Sequence, residues 1–225
     1  MKNKLLIIIG IVLLVTGIGA PFVVRILEEK KINERFIDTY SYHKDFWTIY
    51  PLIKESREIV QKNKTHDGAY HSLAQSYYTL TAFDEAVTAL QKALEIKPDN
   101  DAYWFFLGKT QQSKKVYPLA AQAYEKALEL NPTKKEHFQT LAWLYYFRFE
   151  GDEHKKAFDI LEKAVKRFPN DKDVWFDLTR YNLYDNNIKA FLEYAPKYLA
   201  LNPGDEGIKK EYENYKKLFF QEKKK

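Results

Sequence analysis

Residues 101–134 read DAYWFFLGKTQQSKKVYPLAAQAYEKALELNPTK, and the pattern in this stretch returns on both sides of it. An aromatic stands at Tyr70, Trp104, Phe138 and Trp175, and three residues further on come Leu73, Leu107, Leu141 and Leu178. Ala86, Ala120 and Ala157 follow, then Ala93, Ala127 and Ala164, and Pro98, Pro132, Pro169 and Pro203 close the units. Three units are 34 residues long; the third has 37, its three extra residues expected in the turn around residues 150–153. A fixed period of this length marks a helical solenoid, whose units cannot bury their apolar faces alone and do so by stacking.

Within each unit the residues at relative positions 4, 7, 8 and 11 share one helical face, and so do those at 20, 24 and 27. Two amphipathic helices per unit follow. Ala74, Gly108 and Ala142, with Ala86, Ala120 and Ala157, stand where two helix backbones must approach closely, and the large residues fill the spaces between. Each proline stops a helix, and Asp99, Asn100, Asp101, Asn170, Asp171 and Asp205 stand where the next one needs a cap. The fourth unit shows Phe191, Ala195 and Tyr198 in place of small, large and small, with Pro196 inside. Either its turn at residues 185–187 is one residue shorter, moving Ala190 into the small slot, or the helix is kinked.

The units resemble the tetratricopeptide repeat (TPR) family. Residues 101–134 carry Trp104, Leu107, Gly108, Ala120, Tyr124, Ala127 and Pro132 at the family spacing, and only Gln111 departs, where an aromatic is usual. The resemblance implies an all-α fold: a right-handed α-solenoid of helix-turn-helix repeats at 67–100, 101–134, 135–171 and 172–205. It also implies that the first helix of each unit lines a concave groove for partner proteins. Transferred by position, that groove holds Tyr78, Phe105, Phe106, Lys109, Trp143, Tyr146, Phe147, Phe176, Arg180 and Tyr184, together with Gln112, Gln139, Thr140 and Asp177. Where chaperone-binding relatives clamp a terminal carboxylate with basic residues, this chain has His71, Gln75, Phe106, Glu136 and Thr140, so that mode is not expected.

Outside the repeats, residues 5–24 form a run of 20 without charge, bracketed by Lys2, Lys4 and Arg25. As a helix it would be about 30 Å long, the thickness of a bilayer core. The reading is an uncleaved transmembrane anchor over residues 1–25; the rival is a signal peptide cut after Ala20. The lysines before the run favour an extracytoplasmic array, Arg25, Lys30, Lys31 and Arg35 the cytoplasmic face. Residues 26–66 read as a helical linker or degenerate leading repeat, Tyr50, Pro51 and Leu52 echoing Tyr117, Pro118 and Leu119. Ile208, Tyr212, Tyr215 and Phe219 fall on one stripe, and residues 206–225 read as a capping helix with a basic tail.

Charge narrows the function. Residues 1–66 carry 11 basic and 7 acidic groups, 67–205 carry 18 and 20, and 206–225 carry 7 and 4. The array is near neutral, without the basic stripe a nucleic-acid binder needs. Gly108, Lys109 and Thr110 mimic the end of a phosphate loop, but Tyr103 stands where its first glycine belongs. The five histidines show no ligand spacing and read as surface or groove residues, and the chain has no cysteine. No enzyme, cofactor or metal is expected. The reading is a membrane-anchored scaffold or assembly factor that grips protein partners through an aromatic groove; self-association through the anchor or end helices is also open. The alternative is a peripheral adaptor whose basic ends engage anionic lipid or nucleic acid, a mode that added salt should weaken steeply.

Overall fold

The computed structural model describes residues 20–222, and among them the backbone forms eleven α-helices and no strand. These are α1 (Ala20–Tyr40), α2 (Phe46–Lys62), α3 (Asp67–Thr79), α4 (Phe83–Ile96), α5 (Asp101–Ser113), α6 (Tyr117–Leu130), α7 (Lys135–Arg148), α8 (Gly151–Arg167), α9 (Lys172–Tyr184), α10 (Ile188–Leu201) and α11 (Glu206–Glu222). From α2 to α11 each helix packs on the next in chain order, and α7 also touches α9. A solenoid of helical hairpins results, its first helices α3, α5, α7 and α9 side by side.

The helix ends follow from the chain's own chemistry. α4, α6, α8 and α10 each stop two residues before Pro98, Pro132, Pro169 and Pro203, because the residue before a proline is pushed out of helical geometry. The Asn100 side chain accepts from the amides of Ala102 and Tyr103 at 3.0 and 3.3 Å, and Asp171 does the same for Asp173 and Val174. At α3 the cap is His66, whose Nδ1 accepts from the Ala69 amide at 3.0 Å. Each turn inside a hairpin needs one left-handed residue, and Thr81, Lys115, Gly151 and Asn186 supply it with φ between 55° and 63°.

Packing between paired helices is small against large. Gly108 lies under the Tyr124 ring so closely that a Cβ there would stand 2.6 Å from the ring. The first and third units place Ala74 and Ala142 at the same position, with Leu90 and Leu161 at the position of Tyr124, and all four are buried. Successive first helices are tied by polar contacts at their starts: Tyr103 of α5 donates to Asp67 of α3 at 2.7 Å, and Lys134, just ahead of α7, to Asp101 of α5 at 2.7 Å. The indoles of Trp104 and Trp175 donate to the carbonyls of Pro98 and Pro169 at 2.7 and 2.8 Å.

The fourth unit keeps its turn length and inverts its packing. Phe191 falls five residues after the left-handed Asn186, the same offset that takes Lys115 to Ala120, so no residue is missing and Ala190 does not enter the small slot. Phe191 itself fills that slot, buried with Ala195 and Tyr198 and meeting Tyr215 of α11 edge-on at 6.0 Å. The helix runs through Pro196 without a break. In the third unit the three extra residues lengthen α8 to 17 residues, against 14 for α4, α6 and α10, rather than enlarging the loop.

Gln111 is buried where the first and third units bury Tyr77 and Tyr145, and its Oε1 has no hydrogen-bond partner. An unmet buried carbonyl costs about 1–3 kcal/mol. Gln111→Leu is therefore expected to raise the melting temperature by roughly 2–4 °C per kcal/mol recovered, measured by thermal unfolding; a lower value would show that the oxygen is satisfied in solution.

At the amino-terminal end, α1 folds back on the array. Phe36 is buried against Tyr77 (5.5 Å) and Phe46 (6.2 Å), and the Arg57 guanidinium lies 5.3 Å from its ring and donates to the Tyr77 hydroxyl at 2.9 Å. On α2, Phe46 and Ile53 are buried but Trp47 is 68% exposed. The echo of residues 50–52 in 117–119 has no structural counterpart, since Tyr117 opens α6 whereas Tyr50 lies a full turn inside α2.

The membrane expectation requires correction. Residues 5–19 of the expected span lie outside the described residues, and its last five open α1, which continues through Arg25, Glu28, Glu29, Lys30 and Lys31. Among the described residues no helix is long and apolar enough to cross a membrane. A single-pass location, on either side of a bilayer, is not supported.

Candidate protein-binding face

On the first helices, residues assigned to the groove make ring contacts in two groups. In the first, Tyr78 of α3 meets Phe106 of α5 at 5.3 Å, its hydroxyl lies 3.0 Å from Ser113 Oγ, and the Lys109 ammonium sits 5.1 Å over its ring. His71 bridges Tyr103 (4.9 Å) and Phe106 (5.7 Å), and burial pushes its pKa down, favouring the neutral ring. The second group lies on α7 and α9. Trp143 meets Phe147 at 5.4 Å with Arg148 over it at 5.2 Å, and Arg180 covers Phe176 and Tyr184 at 5.2 and 5.0 Å while donating to the Tyr184 hydroxyl. Phe147 and Tyr184 are 46% and 51% exposed.

Not every ring assigned to the groove turns outward. Phe105 packs between His137 and Tyr124 at 4.9 and 5.2 Å, and Phe176 reaches Tyr198 at 5.4 Å, so both fill space between helices. Tyr146 joins units: it stacks on Tyr181 at 4.1 Å and donates to Asp185 at 2.9 Å, and its backbone carbonyl lies 2.9 Å from His154 Nδ1. His137, read from the sequence as a surface or groove residue, is instead buried beside Asp101 at 3.4 Å, and burial holds its pKa down.

Two clefts bear on binding. Between α5, α7 and α9 an open cleft of about 360 Å³ is lined by Gln112, Gln139, Thr140, Trp143, Asp177 and Tyr181. Gln112, Gln139, Thr140, Trp143 and Asp177 were legible as groove positions, but Tyr181 stands one residue before the periodic core position and carries no groove signal. The second is a larger cleft, about 650 Å³, on the second-helix side between α6 and α8, with Leu128, Phe138 and Ile160 in its lining. It is rimmed by Glu125, which accepts from Tyr145 at 2.6 Å, and by Lys156, which pairs with Glu153 at 2.8 Å. Its lining comes from two successive units, which no single-repeat pattern reports.

Residues 79–206 match the family described as the cytochrome c-type biogenesis protein H TPR domain, and the chain belongs to that family. A TPR repeat-containing protein of Methanocaldococcus jannaschii is 26% identical over 146 residues, 61% of this chain; the match spans about a quarter, 24%, of that relative's length. Among solved structures, MamA superposes with a TM-score of 0.58 at 16% identity, covering 67% of this chain and 86% of that one. YrrB, described as a TPR protein with an unusual peptide-binding site, gives 0.56 at 17% identity, covering 79% and 93%. The C-terminal part of a TPR protein from Cytophaga hutchinsonii gives 0.60 at 17%, covering 78% and 77%. At these identities the likeness is one of fold.

Proposed function

We propose that this chain, a member of the cytochrome c-type biogenesis protein H TPR domain family, is a binding scaffold rather than a catalyst. It holds a partner protein by seating an apolar or amphipathic segment against the faces of α5, α7 and α9. The observation that carries this reading is the placement of Phe106, Trp143, Phe147 and Tyr184 on successive first helices, half-buried or exposed and bordered by Lys109 and Arg180. Exposed aromatic surface of this kind is costly to leave in water, and aromatic side chains flanked by arginine are favoured anchors at protein interfaces. The unusual peptide-binding site described for YrrB supports the use of this architecture for holding peptide segments. The family description supports assembly of a c-type cytochrome or a similar multi-component complex as the setting in which to seek the partner.

Site-specific photocrosslinking tests the reading. A benzophenone side chain at Phe147 is expected to trap a discrete partner protein in cells of the source organism, while the same group at Leu119, exposed on α6 on the second-helix side, is expected to trap none. The opposite pattern would move the binding surface to the second-helix side of the array.

A further inference from the structure

The cleft between α5, α7 and α9 holds the half-buried Asp177 carboxylate. Its hydrogen bond comes from Gln139 Nε2 at 2.7 Å, and Arg180 favours its charged form from a distance without a salt bridge between them among the described residues. The nearby cations make their close contacts elsewhere. Lys135 holds Asp171 and Asp173 at 2.7 and 3.2 Å, Arg180 lies over Phe176 and Tyr184, and Arg148 covers Trp143 and Tyr117. Beside Asp177 stands Tyr181, only 6% exposed, whose hydroxyl has no hydrogen-bond partner among the described residues although the side chain lines the cleft. The Tyr181 ring is buried while its hydroxyl opens on the cleft, and burial raises the pKa of Asp177 even though Arg180 favours its charged form, so both groups have hydrogen-bonding capacity left for a ligand.

We propose that this cleft receives an arginine side chain of the protein segment that docks on this face. The geometry fits a guanidinium: Asp177 and the Gln139 carbonyl offer acceptors, Tyr181 and Thr140 offer hydroxyls, and Trp143 offers an aromatic wall. A flat, weakly hydrated cation with five donors satisfies that set better than an ammonium. The cleft is large enough for the group and shares Trp143 with the aromatic anchors. Asp171 and Asp173 add negative potential from the start of α9, balanced in part by Lys135. The partner is therefore a segment in which a basic residue is set among apolar ones. This deepens the scaffold reading and rests on it.

The test uses the full chain and Nα-acetyl-arginine amide as probe, followed by NMR at the Trp143 indole N–H and the Gln139 side-chain amide. Saturable shifts at both are expected, with the uncharged Nα-acetyl-citrulline amide producing none. Asp177→Asn, which keeps the shape and the Gln139 bond, is expected to weaken the arginine probe at least about tenfold, the loss of one charge-assisted contact. Asp173→Asn, which removes only exposed charge, is expected to leave it within about twofold. Absence of saturation at Trp143, equal shifts with citrulline, or equal weakening by Asp173→Asn would each overturn the proposal. If Asp177→Asn still crosslinks the partner from Phe147 in undiminished yield, the aromatic face stands and the arginine pocket falls.

Discussion

Gly108→Ala is expected to cost about 1–3 kcal/mol, the range for forcing a methyl group into a filled core, and to lower the melting temperature by roughly 2–12 °C for a domain of this size. The added Cβ would stand 2.6–2.9 Å from three atoms of the Tyr124 ring. That ring cannot swing aside freely, because it is buried and its hydroxyl donates to Gln112 at 2.9 Å. Helix propensity works the other way, favouring Ala over Gly by up to about 1 kcal/mol, so a net loss isolates the steric term. The neighbouring units say what repairs it. Ala74 with Leu90 and Ala142 with Leu161 occupy the same two positions, so Gly108→Ala combined with Tyr124→Leu is expected to be more stable than the sum of the two single changes. Strict additivity of the two losses, measured by denaturant unfolding, would mean that the small-against-large pairing does not set the register.

The helices were legible because their causes are local. Apolar residues at helical spacing fix the faces, prolines two residues past the end of each second helix fix those stops, and Asn100 and Asp171 sit where unpaired amides need acceptors. Phe191 was not legible. A pattern of small, large and small reads as broken when it is inverted, and only the space shared with Tyr215 of the last helix shows that a large residue fits there. Nor were the turns: Thr81 and Lys115 adopt left-handed backbone without glycine, at a cost of about 1–2 kcal/mol each that the hairpin packing overrides. The uncharged run at the amino terminus suggested a membrane span from hydropathy alone, whereas the helix that its last residues enter is charged and folds Phe36 onto the array.

For the binding face, position along the repeat tells which helix side a residue occupies but not where its ring turns. Phe105 and Phe176 share a position and both lie inward between helices, while Trp143, four residues beyond that position on α7, stays half-buried at the surface. The pairing of Asp177 with Gln139 joins residues 38 apart and belongs to the stacking of units, not to either unit. The burial of His137 likewise depends on Phe105 in the preceding hairpin, at 4.9 Å.

Trp143→Ala is the change with the largest expected effect on binding. The indole is half-buried: it packs against the buried core of the array, touches Phe147 and carries Arg148 on its face. Anchors of this type contribute about 2 kcal/mol or more on truncation, which is roughly 30-fold in affinity. Trp104→Ala provides the contrast, since that indole donates to the Pro98 carbonyl and packs between units, and its loss is expected to cost stability of about 3 kcal/mol or more. The decisive measurement takes the partner trapped from Phe147 and determines, on one preparation of Trp143→Ala, both its affinity and the melting of the protein. The account predicts binding weakened about 30-fold or more with an unfolding loss below the roughly 3 kcal/mol of a core truncation. Unchanged affinity, or an unfolding loss of about 3–5 kcal/mol, would place Trp143 in the core and leave the first-helix face without its anchor.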